Sequence, residues 1–271
     1  MENSKTKLPI GVFDSGIGGI SVLAEIIKIL PDEEFLYFAD TLHSPYGIKP
    51  EGSIQSLSVG AAGFLASKGI KSLVIACNTA TSVAIDTIRN RYTFPVIGME
   101  PAVKPATNLA TKGKIIVMAT PVTLRSQKFT TLLRNHKHQA DIIPLPCAEL
   151  VEIIEQHYPC EREIGNYLTS LFSPIKKDDI TTIVLGCTHY VLIKKEIANV
   201  VGDNVTIIDG NPGTAKRLKT VLYEEHLLIN TVEETPKAPL KAKVTFYASK
   251  DGNETIGRLK QVLINEGTTY E

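Results

Sequence analysis

The chain has 271 residues, 43% hydrophobic and 21% charged, with 29 basic side chains balancing 29 acidic ones. That length exceeds a typical domain of about 100–200 residues, so two modest domains with sizeable cores are expected, without disulfide staples. Zero net charge and the lack of a long basic tract exclude a dedicated nucleic-acid binder, and no apolar run is long enough to span a bilayer or to form a leader segment, so a cytoplasmic enzyme is expected.

In chain order, residues 8–13, 34–38, 72–76 and 95–99 read as short apolar strands. Residues 20–30, 53–67 and 82–91 between them carry apolar side chains at helical spacing. Pro31 and Gly69 stand where helices should stop. The series restarts with a strand at 114–119, a helix at 122–133 and a strand at 140–145. Helices at 148–156 and 161–172 follow, then a strand at 180–185, a helix at 191–200, a strand at 205–208 and a helix at 214–224. The run Lys176 to Asp179 reads as a self-neutralising turn and residues 230–241 as an exposed connection. A strand at 243–247 and a helix at 254–263 close the chain. Such alternation specifies parallel sheets covered by helices.

An internal echo suggests two related halves. Leu73-Val74-Ile75-Ala76-Cys77-Asn78-Thr79 parallels Ile183-Val184-Leu185-Gly186-Cys187-Thr188-His189. Each is preceded at a nearly equal interval by an opening strand, at 10–13 and at 115–119. Chance similarity between short parallel strands is the alternative.

In open α/β sheets, ligand sites gather at the carboxyl ends of strands, and Asp14-Ser15, Cys77-Asn78-Thr79 and Cys187-Thr188-His189 all fall there. The turn Asp14-Ser15-Gly16-Ile17-Gly18-Gly19 departs from the dinucleotide pattern, because Ser21 stands where a third glycine is required. It reads either as a plain tight turn or as a carboxylate-binding loop in which Asp14 has a chemical task. Cys77 and Cys187 are either small buried hydrophobes or thiols activated at helix N-termini. Cys147 and Cys160 lack that setting and read as structural, and no C-x-x-C pair marks a metal or redox site. His189 reads as a structural hydrogen-bonding residue or as the partner of a Cys187 nucleophile. Pro45-Tyr46-Gly47, after the second strand, is a turn or a binding loop.

Together these segments resemble the glutamate racemases of the aspartate/glutamate racemase superfamily. The matching stretches are Phe13 to Gly19, Tyr37 to Thr41 with Pro45-Tyr46-Gly47, Ala76 to Thr81, and Gly186 to Tyr190. The resemblance implies two similar parallel-sheet α/β domains facing each other across a central cleft, the first at 1–98 plus 210–271 and the second at 99–209. It implies racemisation of L- and D-glutamate without cofactor or metal, supplying D-glutamate for peptidoglycan, by a homodimer that binds neither nucleic acid nor membrane. Cys77 would serve the D-enantiomer and Cys187 the L-enantiomer. Asp14 would assist Cys77, and Glu149 and His189 would assist Cys187. Asp14, Ser15, Pro45, Tyr46, Gly47, Asn78, Thr79, Thr123, Thr188 and His189 would hold the substrate through hydroxyls, amides and backbone N–H groups, with no lysine or arginine among them.

Inverting an α-carbon requires proton removal from one face and delivery to the other, which two opposed thiols can do. Val191, where many relatives have proline, and the turn at 208–213 depart from the family pattern. Two other activities stay open: racemisation of aspartate or another acidic amino acid, and hydrolysis by a Cys187–His189 pair. A two-lobed binding protein without catalysis is a third reading.

Overall fold

The computed structural model describes residues 5–109, 113–159, 161–176, 179–229, 242–250, 252–268 and 270. Cys160, Lys177, Asp178 and the connection at 230–241 lie outside them.

The first sheet is built from β1 (Ile10–Asp14), β2 (Glu34–Ala39), β3 (Ser72–Ile75), β4 (Val96–Gly98) and a late strand, β9 (Lys243–Ala248), in the order β4-β3-β1-β2-β9. The second is built from β5 (Lys114–Ala119), β6 (Asp141–Pro146), β7 (Ile180–Leu185) and β8 (Thr206–Asp209), in the order β6-β5-β7-β8. Every pairing within both sheets is parallel. The expected fold class, two parallel-sheet α/β domains, is therefore the observed one. β9 lies beside β2, so the chain returns to the first sheet after completing the second.

The central strands are buried on both faces, which is why they read as continuous apolar runs. Ile10 and Val12 of β1, Val74 of β3, Ile116 and Met118 of β5, and Ile183 and Leu185 of β7 join one core shared by the two halves. The alternate residues Phe13, Leu73 and Ile75 point to a second core on the far side of the first sheet, and Ile115, Val117 and Val184 to a third on the far side of the second. The shared core thus couples the two sheets directly rather than leaving them joined only by crossovers.

The helices are α1 (Ile20–Ile29), α2 (Glu51–Ser67), α3 (Asn78–Arg91), α4 (Val103–Leu109), α5 (Pro121–Arg125), α6 (Gln127–His136), α7 (Leu150–His157), α8 (Glu161–Phe172), α9 (Thr188–Val191), α10 (Lys194–Val201), α11 (Asn211–Glu224) and α12 (Gly252–Asn265). Two departures from the sequence reading have local causes. The helix expected at 122–133 is broken at Ser126, whose hydroxyl accepts the Phe129 N–H and restarts the chain as α6. α3 begins four residues before the expected 82, because the Cys77 sulfur accepts the Ala80 N–H at the N-cap. Residues 191–200 likewise divide between α9 and α10, and α4 was not anticipated. Asp179, read as part of a self-neutralising run, instead pairs with Lys114 at 2.8 Å. Among the described residues, no helix is long and apolar enough to cross a membrane.

Candidate active site

β1, β3 and β7 lie side by side or face to face through the shared core, and their carboxyl ends deliver Asp14, Cys77 and Cys187 to one region. Ser15 Oγ donates to Asp14 Oδ1 at 3.2 Å and lies 3.4 Å from Cys77 Sγ, linking carboxylate to thiol. Across the gap, Thr188 Oγ1 donates to Asp14 Oδ2 at 2.9 Å, so a residue of the second half completes the carboxylate of the first. Asp14 and Thr188 are almost fully buried. Burial raises the Asp14 pKa, partly offset by the charge of His189 and by hydrogen bonds from the Gly16 N–H and Thr188.

Cys77 does not have the lowered pKa that a helix N-terminus by itself would produce. Burial, followed by the Asp14 charge, pushes its thiol up to about 12, against the opposing hydrogen bonds from Ser15 and the Ala80 N–H. Desolvation of a thiolate outweighs the helix terminus here.

At Cys187 the surroundings are different. The His189 Nδ1 lies 3.9 Å from Cys187 Sγ, and its Nε2 lies 2.7 Å from Glu155 Oε1. Burial disfavours the imidazolium, but the Cys187 sulfur and the Glu155 carboxylate outweigh it, holding the His189 pKa well above its ordinary value. Burial similarly works against the Glu155 carboxylate, yet His189, the Ile17 N–H and Arg258 together keep its pKa below the usual value.

The carboxylate beside His189 was expected from Glu149. It belongs to Glu155. Glu149 sits exposed at the N-cap of α7, six residues from the position that reaches the site. The signal for Glu155 was present in the sequence: Leu150, Val151 and Ile154 form the buried face of α7, and Glu155 follows Val151 by four, on that same face. A carboxylate on an apolar stripe needs a partner, and here the partner is His189.

Two N–H groups of the glycine turn are taken within the protein, and two of its glycines are needed for close approach. The Gly16 N–H goes to Asp14 Oδ1 at 2.9 Å and the Ile17 N–H to Glu155 Oε1 at 2.9 Å, so the carboxylates it holds are the protein's own. A Cβ on Gly16 would lie 2.0 Å from Glu155 Oε1, and one on Gly18 would lie 2.5 Å from the His189 backbone nitrogen.

The remaining expected residues line the same region. Thr79 Oγ1 lies 2.9 Å from the Thr120 hydroxyl and 3.2 Å from that of Thr123, with Thr120 and Thr123 3.0 Å apart. This triad of hydroxyls joins α3 to the start of α5, and Thr120 is a member the sequence reading missed. Among the described residues, neither polar atom of the buried Asn78 amide has a hydrogen-bond partner, leaving hydrogen-bonding capacity for a ligand. Pro45 follows a cis peptide bond and leads into a short turn, Tyr46–Ile48. Gly47 packs against Thr120 of the other half, where a Cβ would lie 2.5 Å from the threonine Cβ. The Tyr46 hydroxyl is committed to Asp40 Oδ2 at 2.5 Å, so what this loop can offer a ligand is chiefly backbone. Cys147 is buried, its sulfhydryl donating to the Leu145 carbonyl at 3.4 Å. A cavity of about 390 Å³ runs between α3 and α6, reached by Asn78 and Thr123 but by neither Cys77 nor Cys187.

Residues 10–218 match the family model for Asp/Glu/hydantoin racemases. A glutamate racemase of Clostridium novyi is 45% identical over 260 residues, covering 96% of this chain and 98% of the relative. Glutamate racemase isoform RacE1 of Bacillus anthracis superposes with a TM-score of 0.83 at 29% identity, over 97% of this chain and 96% of that one. The Escherichia coli glutamate racemase, solved with L-glutamate and the activator UDP-MurNAc-Ala, gives a TM-score of 0.81 at 30% identity, over 94% and 95% of the two chains. With its two parallel sheets and paired cysteine strand ends, this chain belongs to the Asp/Glu/hydantoin racemase family.

Proposed function

We propose that the protein racemises glutamate by a two-thiol mechanism centred on Cys77 and Cys187. The observation that carries this reading is the placement of the two cysteines at equivalent strand ends of facing sheets, one next to Ser15 and Asp14, the other next to His189 and Glu155. One sulfur, as thiolate, takes the α-proton; the other, as thiol, delivers a proton to the opposite face of the carbanion. The charge that develops on the substrate carboxylate meets hydroxyls and amides already in place, at Asn78, Thr79, Thr123 and the loop at 45–47. Their orientation costs little at the moment of reaction because Thr79, Thr120 and Thr123 already hold one another.

Cys77, with its raised pKa, is suited to hold the proton that the carbanion receives. For L-glutamate Cys187 acts as the base and Cys77 as the acid. For D-glutamate the two roles reverse, with the Ser15 hydroxyl linking Cys77 to Asp14. Glutamate is preferred to aspartate as substrate because the relatives named glutamate racemase match nearly the whole chain. The same reading takes the domains as 1–98 with 210–271 and 99–209, supported by the pairing of β9 with β2. It also takes the protein as a cytoplasmic homodimer that supplies D-glutamate for peptidoglycan.

Incubation with L-glutamate in D₂O tests the reading. Loss of optical rotation with deuterium entering the α-carbon, abolished by Cys77→Ser and by Cys187→Ser, is the expected result. Racemisation indifferent to Cys77 would overturn the two-thiol reading, and a Cys187–His189 hydrolase would instead show an acyl-enzyme with amides or esters and no α-exchange with glutamate.

A further inference from the structure

The C-terminal helix reaches the catalytic region through one side chain. Arg258 of α12 donates from Nη1 to the Glu155 carbonyl at 2.5 Å and from Nη2 to the Ile154 carbonyl at 3.2 Å. Both carbonyls belong to the last turn of α7, where the helix dipole favours a cation; the Ile154 carbonyl also accepts the Tyr158 N–H at 3.0 Å, whereas the residue four beyond Glu155 is Pro159, which has no N–H to offer. The same guanidinium lies 3.7 Å from Glu155 Oε2, an ion pair too long for a hydrogen bond. Glu155 is therefore held at three points: Oε1 by His189 and the Ile17 N–H, Oε2 by the charge of Arg258, and its backbone by the Arg258 fork.

We propose that Arg258 is a positioning residue of the racemase site, acting through Glu155 to keep the His189 ring aimed at Cys187. This rests on the racemase reading for its kinetic consequence. Arg258 touches none of the reacting groups itself. Its planar fork fixes the end of α7 and so the point from which the Glu155 side chain departs, which a lysine cannot reproduce. The geometry also makes the part of the chain that follows the second sheet a component of the site: α12 is reached only after the chain has returned to β9, and an arginine there sets a carboxylate contributed by the second half.

The test is a variant, Arg258→Met, made in the full chain, with the titration of His189 followed by ¹⁵N NMR and assigned by its loss in His189→Gln. The groups facing this imidazole are Asp14, Cys187 and Glu155, with Arg258 behind Glu155. The sign of the change is diagnostic. Removing a nearby cation by itself raises the pKa of an imidazole, whereas letting Glu155 drift away from Nε2 lowers it. A fall of about one unit in the His189 midpoint is expected. It should be accompanied by a drop of about tenfold in kcat with KM little changed, the kinetic equivalent of one charge-assisted hydrogen bond. Arg258→Lys, which keeps the charge but not the fork, should fall between the two. An unchanged or raised midpoint in Arg258→Met overturns the proposal and leaves Arg258 a tie between two helices. Should that variant fail to fold, the sign of the shift in Arg258→Lys decides in the same way. Because the midpoint is read without turnover, a wild-type protein inactive on glutamate would count against the reaction and not against Arg258.

Discussion

Thr188, the first residue of α9, donates its hydroxyl to Asp14 at the end of β1 over 2.9 Å, and so one hydrogen bond ties the segment that follows Cys187 to the first sheet. Replacing it by valine keeps the shape and removes the donor. The buried Asp14 carboxylate then loses one of the few contacts that offset its desolvation, which costs about 1–3 kcal/mol. Urea unfolding of Thr188→Val should show a lower midpoint with an unchanged slope, and an unaltered midpoint would mean that the bond contributes nothing net.

Glu155 and Glu149 provide a paired comparison on one helix. Glu155→Gln should lower kcat by about 100-fold or more, the range of an acid–base group that loses its orienting partner. Glu149→Gln, altering an exposed side chain, should leave the rate within about twofold. Equal losses from the two would contradict the placement of His189 against Glu155.

The same pair predicts how stability depends on pH. The His189 pKa is raised in the fold, so its contribution is fully present below its unfolded value of about 6.5 and is lost as pH rises through the folded value. The Glu155 pKa is lowered, so its contribution is present above about 4.5 and lost as pH falls through the folded value. Thermal unfolding of the wild type should therefore weaken on both sides of a window between those limits. In Glu155→Gln the acid limb loses the part due to Glu155, and the alkaline limb shrinks because His189 loses one of the partners that raise its pKa, while the Cys187 contact stays.

Gly16 and Gly18 should fail in different ways. A methyl group on Gly16 meets side-chain ends, Glu155 Oε1 at 2.0 Å and His189 Nε2 at 2.8 Å, so Gly16→Ala should still fold, with some loss of Tm from the displaced pair, and lose most of its activity. A methyl on Gly18 meets the His189 backbone, which cannot move without shifting α9, so Gly18→Ala should lose several degrees of Tm. Differential scanning calorimetry beside initial rates distinguishes the two, and an active Gly16→Ala enzyme would argue against a catalytic use of Glu155.

With a pKa pushed up to about 12, Cys77 should remain a thiol at neutral pH. The difference in 240 nm absorbance between the wild type and Cys77→Ser should therefore be flat through neutrality and rise only in strong alkali. Enantiomers have equal free energy in water, so Cys77→Ser must reduce kcat/KM equally in both directions, by about 100-fold or more. Its kcat and KM values from L- and D-glutamate are free to diverge, and circular dichroism from either enantiomer reads them.

Much of this protein was legible from local pattern. Strands buried on both faces produce apolar runs such as Leu73 to Ala76 and Ile183 to Leu185 whatever lies around them, and the alternation with helical segments specifies parallel sheets. The placement of Asp14, Cys77 and Cys187 at strand ends was legible for the same reason, since a strand ends where apolar residues give way to polar ones.

What tertiary structure alone decided are relationships between residues far apart in the chain. That the glycine turn gives its N–H groups to Asp14 and Glu155 depends on how closely α7 and α9 approach α1's entry. That Cys77 is a thiol rather than a thiolate depends on the balance between a helix terminus, visible in the sequence, and desolvation, which is a property of everything packed around it. The choice of Glu155 over Glu149 turned on which side of α7 faces inward, and the contact of Arg258 with that helix on the return of the chain to its first sheet. Sequence determines a residue's neighbours along a strand or helix through fixed periodicity. Partners across the gap between two domains follow no period, and only the folded packing assigns them.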